Sequence, residues 1–130
     1  MIVDDDAVAH FVSERIGREI CAPWTAMGIE KDGKIVAGTI FNNFEEFDVH
    51  VTVAGDRGAF TRDYLKAVGR YVFEGLGKLR MTAITEQPEV IQIALRLNAQ
   101  TEGRLRNHFG PGRDGIVLGI LKEDWPFKYD

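Results

Sequence analysis

The sequence predicts a mixed α/β fold, a sheet with helices packed on its faces. Three stretches carry that expectation. Residues 47–54 alternate, with Phe47, Val49, Val51 and Val53 on one side and Asp48, His50, Thr52 and Ala54 on the other, the period of a strand. Beyond the turn Gly55-Asp56-Arg57-Gly58 a long helix follows. Thr61 suits its N-cap, and Leu65, Val68, Val72 and Leu76 recur at three- and four-residue spacing. Asp32-Gly33 between two apolar runs is a hairpin signal.

Taken in order, Val8, Phe11, Val12 and Ile16 predict a first helix over residues 7–17. Asp4-Asp5-Asp6 precede it, where negative charge suits the helix dipole. Three adjacent side chains do not converge on one ion, so the triplet reads as a solvated cap and not a metal site. Residues 21–24 are irregular. Strands over 25–31, 35–44 and 47–54 then form an antiparallel meander. The long helix runs to Leu76 and stops at Gly77. Residues 79–85 are a short strand. Gln87-Pro88 opens another helix, since proline is tolerated at the first helical position, with Val90, Ile91, Ala94 and Leu97 inward and Asn98 at its end. Residues 101–109 alternate loosely, Gly110-Pro111-Gly112 breaks them, and 115–121 form a last strand before Trp125. The predicted order is α, β-β-β, α, β, α, β-β.

At 130 residues, with 45% hydrophobic and 28% charged residues, the chain is expected to form one domain, residues 1–130. A net charge of −4 argues against the broad basic footprint of a nucleic-acid binder. The single Cys21 cannot form an intrachain disulfide. The acidic start MIVDDDA resembles neither a signal nor a transit peptide, and no apolar run approaches the ~20 residues that cross a bilayer. A cytoplasmic protein with no membrane partner is the expectation.

A glycine turn that delivers N–H groups to a helix N-terminus offers an anion site. An ordinary strand–loop–helix connection reads the same way, and these residues leave both open. The strings AMGIEKDGKIVAGTIFNNF, DVHVTVAG and FTRDYLKAVGRYVFEGLGKLRMTAIT, in this order, resemble the GNAT N-acetyltransferase superfamily, including small phage and prophage members. TEGRLRNHFGPGRDGIVLGILKEDW is similar to the C-terminal part of the branch related to ribosomal-protein N-acetyltransferases. That branch carries an E-G-x-x-R segment, here Glu102, Gly103 and Arg106, and a last strand ending near Trp, here Trp125. The resemblance spans residues 26–125 and rests on order and spacing.

It implies a centrally splayed sheet with helices on both faces. The strand ending near Val53 would part from the strand at 79–85, and the pantetheine of acetyl-CoA would pair with strand backbone in the gap, at Val51 and Val53. The pyrophosphate would sit on the amides of Arg57, Gly58, Ala59, Phe60 and Thr61. Gln87 stands where the related branch often has an Asn near the cofactor. The chain departs from the family loop Q/R-x-x-G-x-G/A: Gly55 replaces Q/R, and Phe60 replaces the last small residue. Asn98-Ala99 takes the place of a common Gly-Phe.

Acetyl transfer to an amine needs a neutral amine and a thiolate that can leave. A thiol pKa near 8.5 makes a dedicated acid helpful but not obligatory. His50, on the polar strand face with Asp48 two residues away, is the candidate base, because imidazole titrates near neutrality. It reads equally as a half-exposed sheet histidine. Glu86, at the end of the parallel strand near the gap, is a second candidate and reads also as a solvated loop carboxylate. Strand amides near Val51 and Val53 are candidate carbonyl-oxygen donors. Tyr64 and Tyr71 read as packing residues, and residues 88–100 contain no Tyr, Ser or Cys to serve as an acid. His10 and His108 lack partners at metal spacing, so no metal is expected. Arg104, Arg106 and Arg113 form a basic cluster, either a solvated face or a surface for an acidic acceptor or a CoA phosphate. The reading is an acetyl-CoA-dependent N-acetyltransferase acting on a protein N-terminus, a lysine or a small-molecule amine, with a homodimer compatible with it. The alternative is a catalytically inactive GNAT-like module that binds CoA or protein.

Overall fold

Backbone pairing in the computed structural model, which describes residues 1–4 and 6–128, gathers seven strands into one sheet. They are β1 (Ile2–Val3), β2 (Trp24–Lys31), β3 (Lys34–Asn42), β4 (His50–Gly55), β5 (Arg80–Thr85), β6 (Gln100–Gly110) and β7 (Arg113–Leu121). Their spatial order is β1-β2-β3-β4-β5-β7-β6. Every neighbouring pair is antiparallel except β4 and β5. The β2–β3 hairpin forms where expected. Asp32 and Gly33 both take positive φ, 53° and 77°, which a two-residue turn matched to strand twist requires.

Helices α1 (Asp6–Ile16), α2 (Arg62–Gly69) and α3 (Pro88–Arg96) cover the sheet from both sides. Adjacent residues of β3 show the division. Ile40 packs with Ala9 and Val12 of α1, and Phe41 packs with Tyr64 and Val68 of α2 in the larger core. Thr61 caps α2, its Oγ1 accepting from the Tyr64 N–H at 3.2 Å. Among the described residues no helix is long and apolar enough to cross a membrane.

Four differences from the expected elements have local causes. β1 was not anticipated, because two residues carry no readable period; it pairs with β2 at Ile2↔Ile29. Asp6 opens α1, while Asp5 of the acidic triplet lies outside the described residues. β3 ends at Asn42 because Asn43 takes φ 49°, and β4 begins at His50, not Phe47, because Glu45 N–H bonds Asp48 O across a turn. The long helix is α-helical only to Gly69; residues Arg70–Gly75 form a π-helical turn, closed by Leu76 N–H to Tyr71 O at 2.7 Å. Tyr71, Val72 and Phe73 are three consecutive apolar residues, too many for one face of an α-helix. The wider turn buries Val72 and Phe73 together and sets Tyr71 edge-on against Phe41 at 4.7 Å.

Two side chains bind α2 to the sheet. The buried Tyr64 hydroxyl donates to Met27 O at 2.8 Å and lies 2.6 Å from Thr39 Oγ1. Burial pushes its pKa well above that of an ordinary phenol, with Thr39 opposing the shift, so it stays a neutral donor. Trp125, 3% exposed, lies flat on the backbone at Gly69. A Cβ there would stand 2.2 Å from the indole Cε2. Gly69→Ala should therefore destabilise the fold by about 1–3 kcal/mol through overpacking. At Gly75 an added Cβ meets nothing nearer than 3.5 Å, so Gly75→Ala should leave stability unchanged or slightly raised. Denaturant midpoints of the two variants make the comparison.

Candidate functional site

β4 and β5 touch at one bridge, His50↔Thr82, and then part. Below the bridge they are bonded, Arg80 N–H to Phe47 O at 3.1 Å and Thr82 N–H to Val49 O at 2.9 Å. Alternation along β4 turns the amide groups of Val49, Val51 and Val53 toward β5. Past the bridge, the Val53 carbonyl has no strand partner and accepts instead from Gln87 Nε2 at 2.8 Å. Gln87 is held there by its own position as N-cap of α3, with Pro88 next.

Four cavities adjoin one another through this parting. On the α2/α3 face an open cleft of about 560 Å³ is walled by Arg57, Gly58, Phe60, Glu89, Gln92 and Arg96. It shares Phe60 and Ile93 with a small apolar cavity of about 60 Å³ under the sheet. That cavity shares Val51, Val53, Ala83 and Val90 with the parting itself. The parting in turn shares Val51, Thr52, Ile84 and Phe109 with a polar cleft of about 230 Å³ on the α1 face. His50, His108, Asn43, Cys21, Arg18 and Glu19 line this last cleft. Cavities with common walls thus lie on both faces of the sheet at the parting.

The polar cleft unites some of the residues singled out by sequence. His50 Nδ1 lies 3.3 Å from Asn43 Nδ2; an amide N–H donates, so the ring proton sits on Nε2. Nε2 faces Asp48 Oδ2 at 3.9 Å, an electrostatic contact too long for a hydrogen bond. The bonds of Asp48 go elsewhere. Both its oxygens accept from Thr82 Oγ1, at 3.0 and 2.9 Å, and Arg80 Nε, buried and without a hydrogen bond, stands 3.5 Å from Oδ1. Arg80 also donates to Glu102, the acidic residue of the E-G-x-x-R segment, at 2.6 Å. The bond to Glu102 does most to raise the Arg80 pKa above its already high value.

Glu86, the second candidate base, is ion-paired. Arg113 binds it in fork geometry, Nε at 3.0 Å and Nη2 at 2.5 Å. The hydrogen bonds hold its carboxyl below the usual carboxylate range, which makes it a poor proton acceptor. The expected arginine cluster is also divided: Arg113 pairs with Glu86 and Arg104 with Asp114 at 3.3 Å. Cys21 is a free, exposed thiol. Among the described residues no three His, Cys, Asp or Glu side chains gather as a metal site.

At the start of α2 the predicted amides are unequal. Ala59 N–H bonds Asp56 O and Thr61 N–H bonds Ala59 O, so both are committed within the turn. Gly58, at φ 78°, turns its N–H outward to Glu89 Oε1 at 3.2 Å. Sequence reading did not place Gln92 and Arg96 of α3 beside the glycine turn, nor His108 and Asn43 in the polar cleft. Glu89, Gln92 and Arg96 share one helical face by their spacing, a signal that was readable. His108 reaches its cleft through the pairing of β6 with β7, which no local pattern shows.

Comparison with solved structures places this geometry. Ribosomal-protein-S5-alanine acetyltransferase from Vibrio fischeri superposes with a TM-score of 0.66 at 18% identity, over 80% of this chain and 64% of that one. A mutant form of the spermidine/spermine N-acetyltransferase from Vibrio cholerae gives 0.72 at 12% identity, over 95% of both chains. The dodecameric spermidine N-acetyltransferase from the same organism gives 0.70 at 12% identity, over 95% of this chain and 94% of that one.

The fold is that of the GNAT N-acetyltransferases.

No protein-family model and no curated protein matches the chain. The splayed sheet with helices on both faces, expected of the GNAT fold, is present. Its two departures in the glycine turn prove to be one compensated change. The Phe60 ring folds inward toward Tyr64, 6.4 Å between centroids, and rests over Gly55. A Cβ at Gly55 would stand 2.9 Å from both Phe60 Cζ and Ala37 Cβ. The large residue is therefore accommodated because its partner is glycine. Gly55→Ala should destabilise by about 1–3 kcal/mol, and Phe60→Ala in the same chain should relieve part of that loss, Ala37 retaining the rest. A double-mutant cycle from denaturant unfolding measures the coupling; strict additivity would show that the two positions are independent.

Proposed function

We propose that this chain is an acetyl-CoA-dependent N-acetyltransferase that transfers an acetyl group to an amine. The observation that carries the reading is the parting of β4 from β5 with cavities on both faces, an arrangement in which an acyl donor and an amine would approach from opposite sides and meet beside Val53. The residues fit the donor. Arg57, Arg96 and the Gly58 N–H form a cationic and amide-lined wall suited to phosphate, and the apolar walls beyond Phe60 suit an aliphatic arm. Val51 and Val53 present backbone groups to the parting, where Gln87 Nε2 holds the Val53 carbonyl. When bound, acetyl-CoA supplies an activated acyl group on a thiol that leaves readily.

On the other face His50 is the proton acceptor. Its Nδ1 lone pair is engaged by Asn43, an exchangeable amide on an exposed turn residue, and an acceptor N–H takes the same position. Protonation at Nδ1 makes the ring a cation, which Asp48 stabilises across 3.9 Å. Because Asp48 is already bonded to Thr82 and paired with Arg80, it acts as a fixed counter-charge and not as a second base. Glu86 holds Arg113 at the rim of the parting. The neighbours' named acceptors, a ribosomal-protein alanine and spermidine, make a protein N-terminus or a polyamine the first amines to test, with other small molecules and lysines after them. A homodimer through the free edge of β6 accords with the oligomeric neighbour.

A second reading is a GNAT-like module that binds CoA or a protein without catalysis. The Glu89 carboxylate on the Gly58 amide, and the lack of a hydroxyl or thiol acid on α3, favour it.

Two measurements separate the readings. Acetyl-CoA at a hundredfold excess over its Kd should stabilise the protein by about 2.7 kcal/mol, on the order of 10 °C in Tm. Gly58→Glu, which starts from a lower Tm because of the positive φ at this position, should show no shift. No shift in the wild type overturns the donor assignment. In an acceptor screen read by released thiol, His50→Ala should lower turnover by ~10²-fold and abolish the rise of rate with pH, leaving donor affinity unchanged. A wild type that binds acetyl-CoA and acetylates no amine points to the binding module. An active enzyme indifferent to His50→Ala removes this histidine from the mechanism.

A further inference from the structure

Glu89 stands in a cleft whose charged walls are Arg57 and Arg96, yet among the described residues it pairs with neither. Its Oε1 accepts instead from the Gly58 N–H at 3.2 Å. Two residues earlier, Gln87 donates to the Val53 carbonyl at 2.8 Å. The corner between β5 and α3 therefore makes, with its own side chains, a carboxylate-to-amide bond at the open cleft and an amide-to-carbonyl bond at the parting. An anionic ligand that uses the Gly58 N–H must displace a carboxylate from it and then lie beside that negative charge.

Resting on the acyl-donor reading above, we infer that Glu89 is an affinity-setting residue that opposes the donor's phosphates at Gly58. The physical basis is direct. One N–H serves one acceptor at a time, and a carboxylate close to a phosphate repels it by an amount that salt screens. Arg57 and Arg96 oppose that repulsion and keep the cleft attractive overall. The consequence is unusual for a residue lining a binding cleft: neutralising it tightens binding.

The test is titration calorimetry of CoA against the wild type, Glu89→Gln and Glu14→Gln. The Gln variant keeps an oxygen for the Gly58 N–H and loses only the charge. Glu14, exposed on α1 and paired with His10 at 3.0 Å, supplies the same change of net charge far from the cleft. Glu89→Gln should lower Kd by about three- to tenfold at low salt, as expected for one charge at a partly exposed helix terminus, and the gain should shrink near about 0.5 M salt. Glu14→Gln should match the wild type. Dephospho-CoA, which keeps the pyrophosphate, should show the same gain. Equal or weaker CoA binding by Glu89→Gln overturns the inference and leaves the donor reading standing. A gain that disappears with dephospho-CoA places the effect at the 3′-phosphate and overturns the assignment to Gly58. If none of the proteins binds CoA, the donor reading itself fails and takes this inference with it.

Discussion

Everything in this molecule is arranged about a pair of parallel strands that stay joined for a single bridge. Backbone N–H and C=O groups must be satisfied wherever they are buried, and strands ordinarily do this for each other. Beyond His50↔Thr82 that arrangement stops, and the Val53 carbonyl is satisfied by the Gln87 side chain. A side chain can let go of a carbonyl at small cost, whereas a ladder bond is tied to the whole strand. At the parting a side chain thus stands in for a strand partner at the Val53 carbonyl.

Such an opening in the middle of a sheet must be supported from both sides. On one face, α1 binds β3 and β4 through Val8, Val12 and Ala9, and Arg15 clasps Asp56 of the turn at 2.6 Å. On the other, α2 is pinned by the Tyr64 hydroxyl to β2 and β3 and by Trp125 to the C-terminal segment. The π-helical turn after Gly69 rotates Phe73 inward to meet Trp125, 5.6 Å between centroids. These contacts flank the parting: Arg15 lines it, and Tyr64 and Trp125 line the apolar cavity beside it.

Charge around the parted strands is largely internal. Asp48 and Glu102 share Arg80, Glu86 holds Arg113, and Asp56 holds Arg15. Paired charges are poor proton acceptors and poor ligands, because each already has its partner. The imidazole of His50, by contrast, has its one engaged nitrogen on a neutral amide. The nearest carboxylate to it, Asp48, is held in place by Thr82.

Local physics made much of this legible in the sequence. Asp32-Gly33, the Thr61 cap, Gln87-Pro88 and the glycines after the helices each act within four residues, so the elements and their order could be read, apart from the two-residue β1. Periodicity assigned the core faces of α1, α2 and α3 because those faces repeat within a turn or two. The role of Tyr64 as packing and the presence of Asp48 and His50 on one strand face were visible for the same reason. What tertiary structure alone decided is which groups meet across the chain. Phe60 fits because Gly55 lies beneath it, Arg113 claims Glu86 from 27 residues away, and Glu89 finds the Gly58 amide across 31. Those outcomes depend on strand register and helix placement, which sum many weak contacts over the whole sheet. No short window of sequence contains that sum.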